Sequence, residues 1–469
     1  MRKNFIFVLV VLLFGIILKG EKSGKGQLTP ELIQKLDNSF EMSEQHRAKL
    51  NAITKNGPSK LALDHKINNK YDHLFDVKLD GPGITDQKHS GRCWLFAGLN
   101  IIRPDIIDKY NLKSNFELSQ TYSFFWDKLE KSNIFLEQII STRKKDIMDR
   151  SLQDLISSPI GDGGWWTYVV DIVEKYGVVP KSISPETHNS KNTPAMNKVL
   201  SRLLKHDAAK LRKMHRQDKS VQELRQKKEE MLKDVYRILA YHLGEPLHPD
   251  ERFTWRVKTK DGEFIEKEFT PKSFYKKATD IDLNNYISLL DHPIHKYGQH
   301  YKINHCKNVA GANDLNFVNI KNDKFKKYTA QAVKDSTPIW FAAAAGFDMS
   351  REKGIMAAGL KNYEDLLNVN LDYTMEEGVA YDICIPNHAM VFSGLDTTKS
   401  GRVRKWRVTN SWGTDNGKAG YYAMADGWFD KYVFNVILPK KYIPKRILSI
   451  LEEEPKEIPT WDPMKSSFR

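Results

Sequence analysis

The fold of this chain has to bring together three short segments that lie far apart in its 469 residues. The first is Gln87-Lys88-His89-Ser90-Gly91-Arg92-Cys93-Trp94-Leu95-Phe96-Ala97, where a cysteine opens an apolar, helix-like run and a glutamine stands six residues earlier. The others are Asn387-His388-Ala389 and Asn410-Ser411-Trp412-Gly413, each inside a strand-like segment. His388 follows Cys93 by 295 positions (388 − 93), and Asn410 follows His388 by 22 (410 − 388). A structure that uses all three must meet in a cleft between a helical half and a strand-rich half.

The residue types explain one another chemically. A thiol is mostly protonated at neutral pH, and only the thiolate attacks a carbonyl well. A cysteine in the first turn of a helix feels the positive end of the helix dipole, and an imidazole can take its proton. An asparagine oxygen on the far ring nitrogen would hold the useful tautomer and aim the ring. The Cys93 backbone N–H and the Gln87 side-chain amide are natural donors to the oxyanion that forms on attack. Alone, each residue has a plainer role: a cysteine on an apolar helix is usually core, and a histidine among apolar neighbours is usually a satisfied core residue. Together, in the order Gln, Cys, His, Asn, they are the parts of a thiol protease: Gln87, Cys93, His388 and Asn410.

The chain resembles the papain-like cysteine peptidases and, within them, the bleomycin hydrolase and aminopeptidase C branch. The branch resemblance rests on residues 90–100, Phe253-Thr254-Trp255, His388-Ala389-Met390, Gly420-Tyr421-Tyr422-Ala423-Met424 and the ending Pro459-Thr460-Trp461-Asp462-Pro463-Met464. It covers most of residues 70–464. In papain-like enzymes generally the histidine lies about 130–150 residues after the cysteine, so here a domain-sized piece has been inserted between the catalytic halves. Two departures stand out. Ser90 replaces a cysteine and Arg92 a small residue of the general signature, so the nearby disulfide of secreted papains cannot form; Asn387 stands where the branch more often has threonine.

The resemblance implies an α+β, two-lobed papain-like fold: a helical lobe, a β-barrel-like lobe, a helical insertion and a C-terminal tail in the cleft. It implies that Gly163 and Gly164, of Gly161-Asp162-Gly163-Gly164-Trp165-Trp166, line the substrate cleft, since only glycine lets substrate backbone approach so closely. A plain turn before a helix is the simpler reading of that pair. It also implies that the last residues fold back so that the terminal carboxylate, here on Arg469, meets the substrate's amino group, which makes the enzyme an aminopeptidase. A carboxylate in a partly desolvated cleft favours an ammonium through a charge-assisted hydrogen bond. Relatives of this branch are similar in forming hexameric rings.

Along the chain, Arg2 and Lys3 precede the apolar run Phe5–Leu18, the pattern of a secretory signal and too short for an ordinary spanning helix. No clean small-x-small cleavage site follows, so residues 1–20 are either a signal peptide or an uncleaved signal anchor. Export is expected, with a cytoplasmic location as the alternative. Residues 21–75 form an N-terminal arm with amphipathic stretches near Pro30–Phe40 and Glu44–Thr54. Residues 76–191 make the helical lobe with helices over 93–109, bent at Pro104, and 117–131. Residues 192–245 are a basic helical insertion whose leucines recur at helical spacing. Residues 246–440 are the β-rich lobe, with a hairpin around Asp261-Gly262 and strands at Pro338–Gly346, His388–Leu395, Val403–Ser411 and Gly420–Met424. Residues 441–469 are the tail.

The net charge of +14 raises nucleic acid as a partner. The basic residues of the insertion are interspersed with Asp207, Glu223 and Asp234 and lack interleaved aromatics for base stacking, so a solvated helical face is the expectation and nucleic-acid binding is not. Three cysteines (Cys93, Cys306, Cys384) cannot build a disulfide framework. Cys384 and His388 are spaced like metal ligands, but no second pair stands at zinc-site spacing, and neither a metal nor a cofactor is expected. The reading is a cysteine aminopeptidase acting on small peptides with a free N-terminus through an acyl-thioester, in a homo-oligomer. Its alternatives are an endopeptidase with an open cleft and a ring-shaped binding or scaffold protein with incidental peptidase activity.

Overall fold

The computed structural model describes residues 26–79 and 81–466. The leader at 1–20 and Arg469 lie outside the described residues. Two compact units result, one ending at Leu61 and the other beginning at Ala62. The first carries the helices Pro30–Asn38 and Glu44–Lys55, N-capped by Thr29 and Ser43. Neither helix buries a residue, and Leu32, Ile33 and Leu36 stay exposed.

In the second unit the strand-rich half is one twelve-stranded sheet. At its centre Val433–Pro439, Ile339–Ala343, His388–Thr397, Val403–Thr409 and Tyr421–Ala425 pair in antiparallel order. Ile339–Ala343, apolar throughout, and Val433–Pro439, apolar but for Asn435, are buried at every position, as strands covered on both faces are. Successive side chains point to opposite faces. Trp340 donates its indole N–H to the carbonyl of Trp94, in the helix Cys93–Lys109 (3.1 Å). Its neighbour Phe341 stacks on Phe392, which packs on Phe429, and Phe429 meets Phe325 of the helix Asn322–Lys334. The helix bearing Cys93 therefore covers one face of the sheet and Asn322–Lys334 the other.

The barrel-like lobe is an open sheet. The strand path runs from Lys456–Ile458 at one end to Met349–Ser350 at the other, and among the described residues these ends do not pair. Alternating hydrophobicity marks strands and their faces, but closure depends on tilt and shear, which single strands do not encode.

In the helical half, Cys93–Lys109 packs with Gln120–Ser141 and Trp166–Tyr176. Gln120–Ser141 runs well beyond the expected 117–131, because the polar residues that suggest an end (Asp127, Lys128, Lys131) are buried and paired instead. The insertion is a hairpin of two helices, Pro194–Arg216 and Val221–Leu243. Proline at the first helical position starts the first helix, and a Ser220–Glu223 capping box starts the second. Leu200, Leu204, Leu211, Leu224 and Leu239 are buried on one side. Several of the insertion's basic groups are used within the molecule: Arg225 and Lys228 pair with Glu137, and Arg212 donates to the carbonyls of Thr142 and Lys145.

Candidate active site

Cys93 is the first residue of its helix, and Arg92 before it provides no side-chain cap. The free N–H groups of that first turn are therefore left for the thiol. The turn leading in is fixed by short polar contacts. Ser90 Oγ donates to the Gln87 carbonyl (2.6 Å) and accepts from Arg92 Nε (2.9 Å). The Arg92 guanidinium is fully buried and forks onto Glu186 (3.1 and 2.9 Å), the planar match that arginine makes with a carboxylate. At Gly91 a Cβ would stand 2.8 Å from Asp162 Cβ, so only glycine fits while its N–H donates to Asp162 Oδ2 (3.0 Å).

His388 begins the strand His388–Thr397, and Asn410 lies just past the end of the neighbouring strand Val403–Thr409. The register, with Val391 opposite Thr409, brings the two side chains together: His388 Nε2 and Asn410 Oδ1 are 2.8 Å apart. That contact leaves Nδ1 as the ring nitrogen available to a thiol. The thiol is at hand, because the backbone of Ala389, next along the chain from His388, lies close enough to Cys93 to favour its ionised form. Trp412 stacks on the imidazole with centroids 4.6 Å apart, and the Arg351 guanidinium lies 4.5 Å over the indole.

Burial pushes the Cys93 thiol up to about 11, opposed by the backbone of Ala389, Trp94 and Cys93 itself. Burial, with the charge of Arg351, pushes His388 down to about 4 against the hydrogen bond to Asn410. Burial thus favours the neutral form of each group, while passing the thiol proton to the imidazole separates charge without changing the net charge of the site. The result is an opposed pair at a helix N-terminus.

Gln87 is pinned on both sides of its amide. Its oxygen accepts from Ser411 Oγ (2.6 Å), its Nε2 donates to the Ser90 carbonyl (2.6 Å), and its backbone N–H donates to the Ser411 carbonyl (2.8 Å). An amide nitrogen carries two hydrogens, so one remains to be donated. The Asn-Ser motif thus orients the histidine through Asn410 and the glutamine through Ser411.

The glycine loop adjoins this turn. At Gly164 a Cβ would lie 2.7 Å from the Trp94 ring and 2.9 Å from Tyr168, and Trp94 donates its indole N–H to the Asp162 carbonyl (2.7 Å). Two buried lysines hold the loop backbone from beneath. Lys128 donates to the Gly161 carbonyl (2.8 Å) and Lys131 to that of Gly163 (2.7 Å). Their counter-ions are Asp162 (2.8 Å) and Asp127 (2.7 Å). Sequence reasoning missed Asp162, Lys128, Lys131 and Glu186. The available signal was the Asp127-Lys128 and Lys131 cluster inside an otherwise apolar helical stretch.

The tail reaches the same place. Lys456–Ile458 runs parallel to Gln299–Ile303, Met464 is fully buried, and Lys465 lines a cavity together with Gly163, Gly164, Trp165 and Tyr168. Lys465 pairs there with Asp154 (3.3 Å).

A sequence profile of the peptidase C1-like family matches residues 27–465. Aminopeptidase C of Streptococcus thermophilus is 35% identical over 442 residues, covering 94% of this chain and 98% of the relative. Aminopeptidase C of Lactococcus lactis subsp. cremoris is 36% identical (93% and 99% covered). Aminopeptidase G of Lactobacillus delbrueckii subsp. lactis is 32% identical (93% and 99%). The crystal structure of PepW from Lactobacillus rhamnosis superposes with a TM-score of 0.89 at 33% identity, covering 94% of this chain and 99% of that one. The chain belongs to the peptidase C1-like family of papain-fold cysteine peptidases, in the branch that holds bleomycin hydrolase and aminopeptidase C.

Proposed function

We propose that this cysteine aminopeptidase works through Cys93 as nucleophile, His388 as general base and then acid, and Asn410 as the residue that orients the imidazole. Attack of the thiolate on the carbonyl after the substrate's first residue forms a tetrahedral oxyanion held by the Cys93 N–H and the second Gln87 amide hydrogen. His388 returns the proton to the leaving amine, and water then releases the acyl group from the thioester. The observation that carries this reading is the convergence at one helix N-terminus of a thiol, the Ala389 backbone and an imidazole held by Asn410.

The chain's own tail shortens the cleft past Gly163 and Gly164, which suits it to a small peptide with a free N-terminus. Support comes from Lys465 lining the cavity beside those glycines. The test is to compare aminoacyl amides with free and acetylated N-termini in the full-length enzyme and in a chain ending at Met464. Free substrates turn over in the first and blocked ones gain in the second; equal turnover of both by the full-length enzyme refutes the reading. Residues 1–20 direct export, which the mass of the mature N-terminus checks. The exposed Leu32, Ile33 and Leu36 of the arm make a homo-oligomeric contact, hexameric by resemblance; sedimentation of the chain with and without residues 21–61 checks it.

A further inference from the structure

The tail needs a rigid hold on the body if it is to act as a ruler, and one cluster outside the reaction centre has the chemistry for it. Asp462 is buried, and both of its oxygens are engaged. His292 Nε2 lies 3.0 Å from Oδ1 and His295 Nε2 lies 3.2 Å from Oδ2, while the Met464 N–H also donates to Oδ1 (2.9 Å). The carboxylate thus fixes the turn of its own tail and docks that turn onto the body in the same contact.

The histidine side of the contact is preorganised. Asn319, fully buried, accepts from the His292 N–H (2.9 Å). Its own amide donates to the carbonyls of His292, His295 and Lys296 (3.1, 3.0 and 3.3 Å). The loop is therefore held open as a two-pronged donor before the tail arrives. His292 Nδ1 is buried and meets no acceptor among the described residues, whereas Nε2 lies against Asp462, so Nε2 is the nitrogen placed to donate to the carboxylate. A metal ion on these three side chains would instead require the Nε2 lone pair and an Nδ1–H that meets no acceptor among the described residues, against the usual pattern of metal-bound histidine. The cluster is suited to hold a carboxylate rather than a cation. Burial opposes ionisation of Asp462, but the donors overcome it and hold the group well below the usual carboxylate range.

We infer that the His292–His295–Asp462 clasp is the positioning device that sets exopeptidase specificity, by holding the tail beside Gly163 and Gly164. This rests on the tail acting as the ruler. The clasp lies only three residues before Lys465, so its release frees the segment that reaches the cavity without altering Cys93, His388 or Asn410.

The experiment compares four full-length or truncated enzymes: wild type, Asp462→Asn, His295→Ala and the chain ending at Met464. Each is assayed on one aminoacyl coumarin amide with a free and with an acetylated N-terminus, and active sites are counted by thiol titration with a covalent inhibitor. In Asp462→Asn the new amide keeps one acceptor oxygen but aims an NH2 at the other imidazole donor. His295 is partly exposed, so its replacement keeps the variant pair informative where Asp462→Asn does not fold. The expected result is that the ratio of acetylated to free kcat/KM rises at least about tenfold in both clasp variants, approaching the truncated chain, with the kcat per titrated thiol on free substrate little changed and KM raised. A wild-type ratio in folded clasp variants, alongside a raised ratio in the truncated chain, overturns the clasp and leaves the ruler standing. An unchanged ratio in the truncated chain overturns the ruler itself.

Discussion

Replacing Asp162 by asparagine tests how the nucleophile turn is held. Asp162 Oδ2 accepts from the Gly91 N–H (3.0 Å) and from Thr193 Oγ1, and Oδ1 meets Lys128 Nζ (2.8 Å) and Asn197 Nδ2 (2.7 Å). One carboxylate therefore ties the turn before Cys93, the glycine loop and the first turn of the insertion together. The lysine side chain is fully buried. At 2.8 Å and an effective dielectric of about 20 the gross attraction is roughly 6 kcal/mol. Asparagine keeps the shape and one acceptor but strands the ammonium. Lys128 retains the Gly161 carbonyl and Asn197 Oδ1 (both 2.8 Å), which compensates in part. Removing one partner of a buried pair costs about 3–5 kcal/mol, and that is the expected loss in urea unfolding at pH 7. An NH2 group faces a donor in either amide orientation, the Lys128 ammonium in one and the Gly91 N–H in the other, so the hub loosens and kcat falls with stability. Adding Lys128→Met removes the stranded charge, so the double variant should recover about 2 kcal/mol of the single variant's loss. A loss below about 1 kcal/mol for Asp162→Asn, or strictly additive losses in the double variant, would show that Asp162 is not the hub described.

Two other outcomes follow from the same geometry. His388 is competent as a base only when neutral, and burial lowers it to about 4. The acid limb of kcat/KM should therefore fall through about pH 4, with a plateau across pH 6.5; a limb centred at the ordinary imidazole value of about 6.5 contradicts the buried pair. Gly164→Ala places a methyl 2.7 Å from the Trp94 ring; overpacking of this kind costs about 1–3 kcal/mol. A thermal unfolding midpoint and KM measured together should show both a loss of stability and a raised KM, whereas a silent substitution removes the packing argument.

How much of this is legible in the sequence depends on the range of the interaction. Cys93, His388 and Asn410 can be found because each sits in a local pattern, an apolar helical run or an alternating strand, whose chemistry makes sense only in combination. The hairpin around Asp261-Gly262 is legible for the same reason: Gly262 takes φ +94° between the strands Phe253–Lys258 and Phe264–Phe269, a conformation that glycine adopts without steric cost. The hub at Asp162 and the clasp at Asp462 are not. Their partners come from segments far apart in the chain, and a buried aspartate looks like a surface one until its donors are known. The open sheet reads as barrel-like in the sequence because hydrophobic alternation specifies a strand's faces and not whether its edges meet.

Trapping the acyl-enzyme bears on the central claim most directly. The enzyme is mixed with an aminoacyl ester, quenched in acid within the first turnover, digested and weighed by mass spectrometry. The account predicts one acyl group, carried by the peptide containing Cys93, with none on Cys306 or Cys384 and no turnover by Cys93→Ala. An acyl group on another residue, or hydrolysis that survives Cys93→Ala, contradicts it.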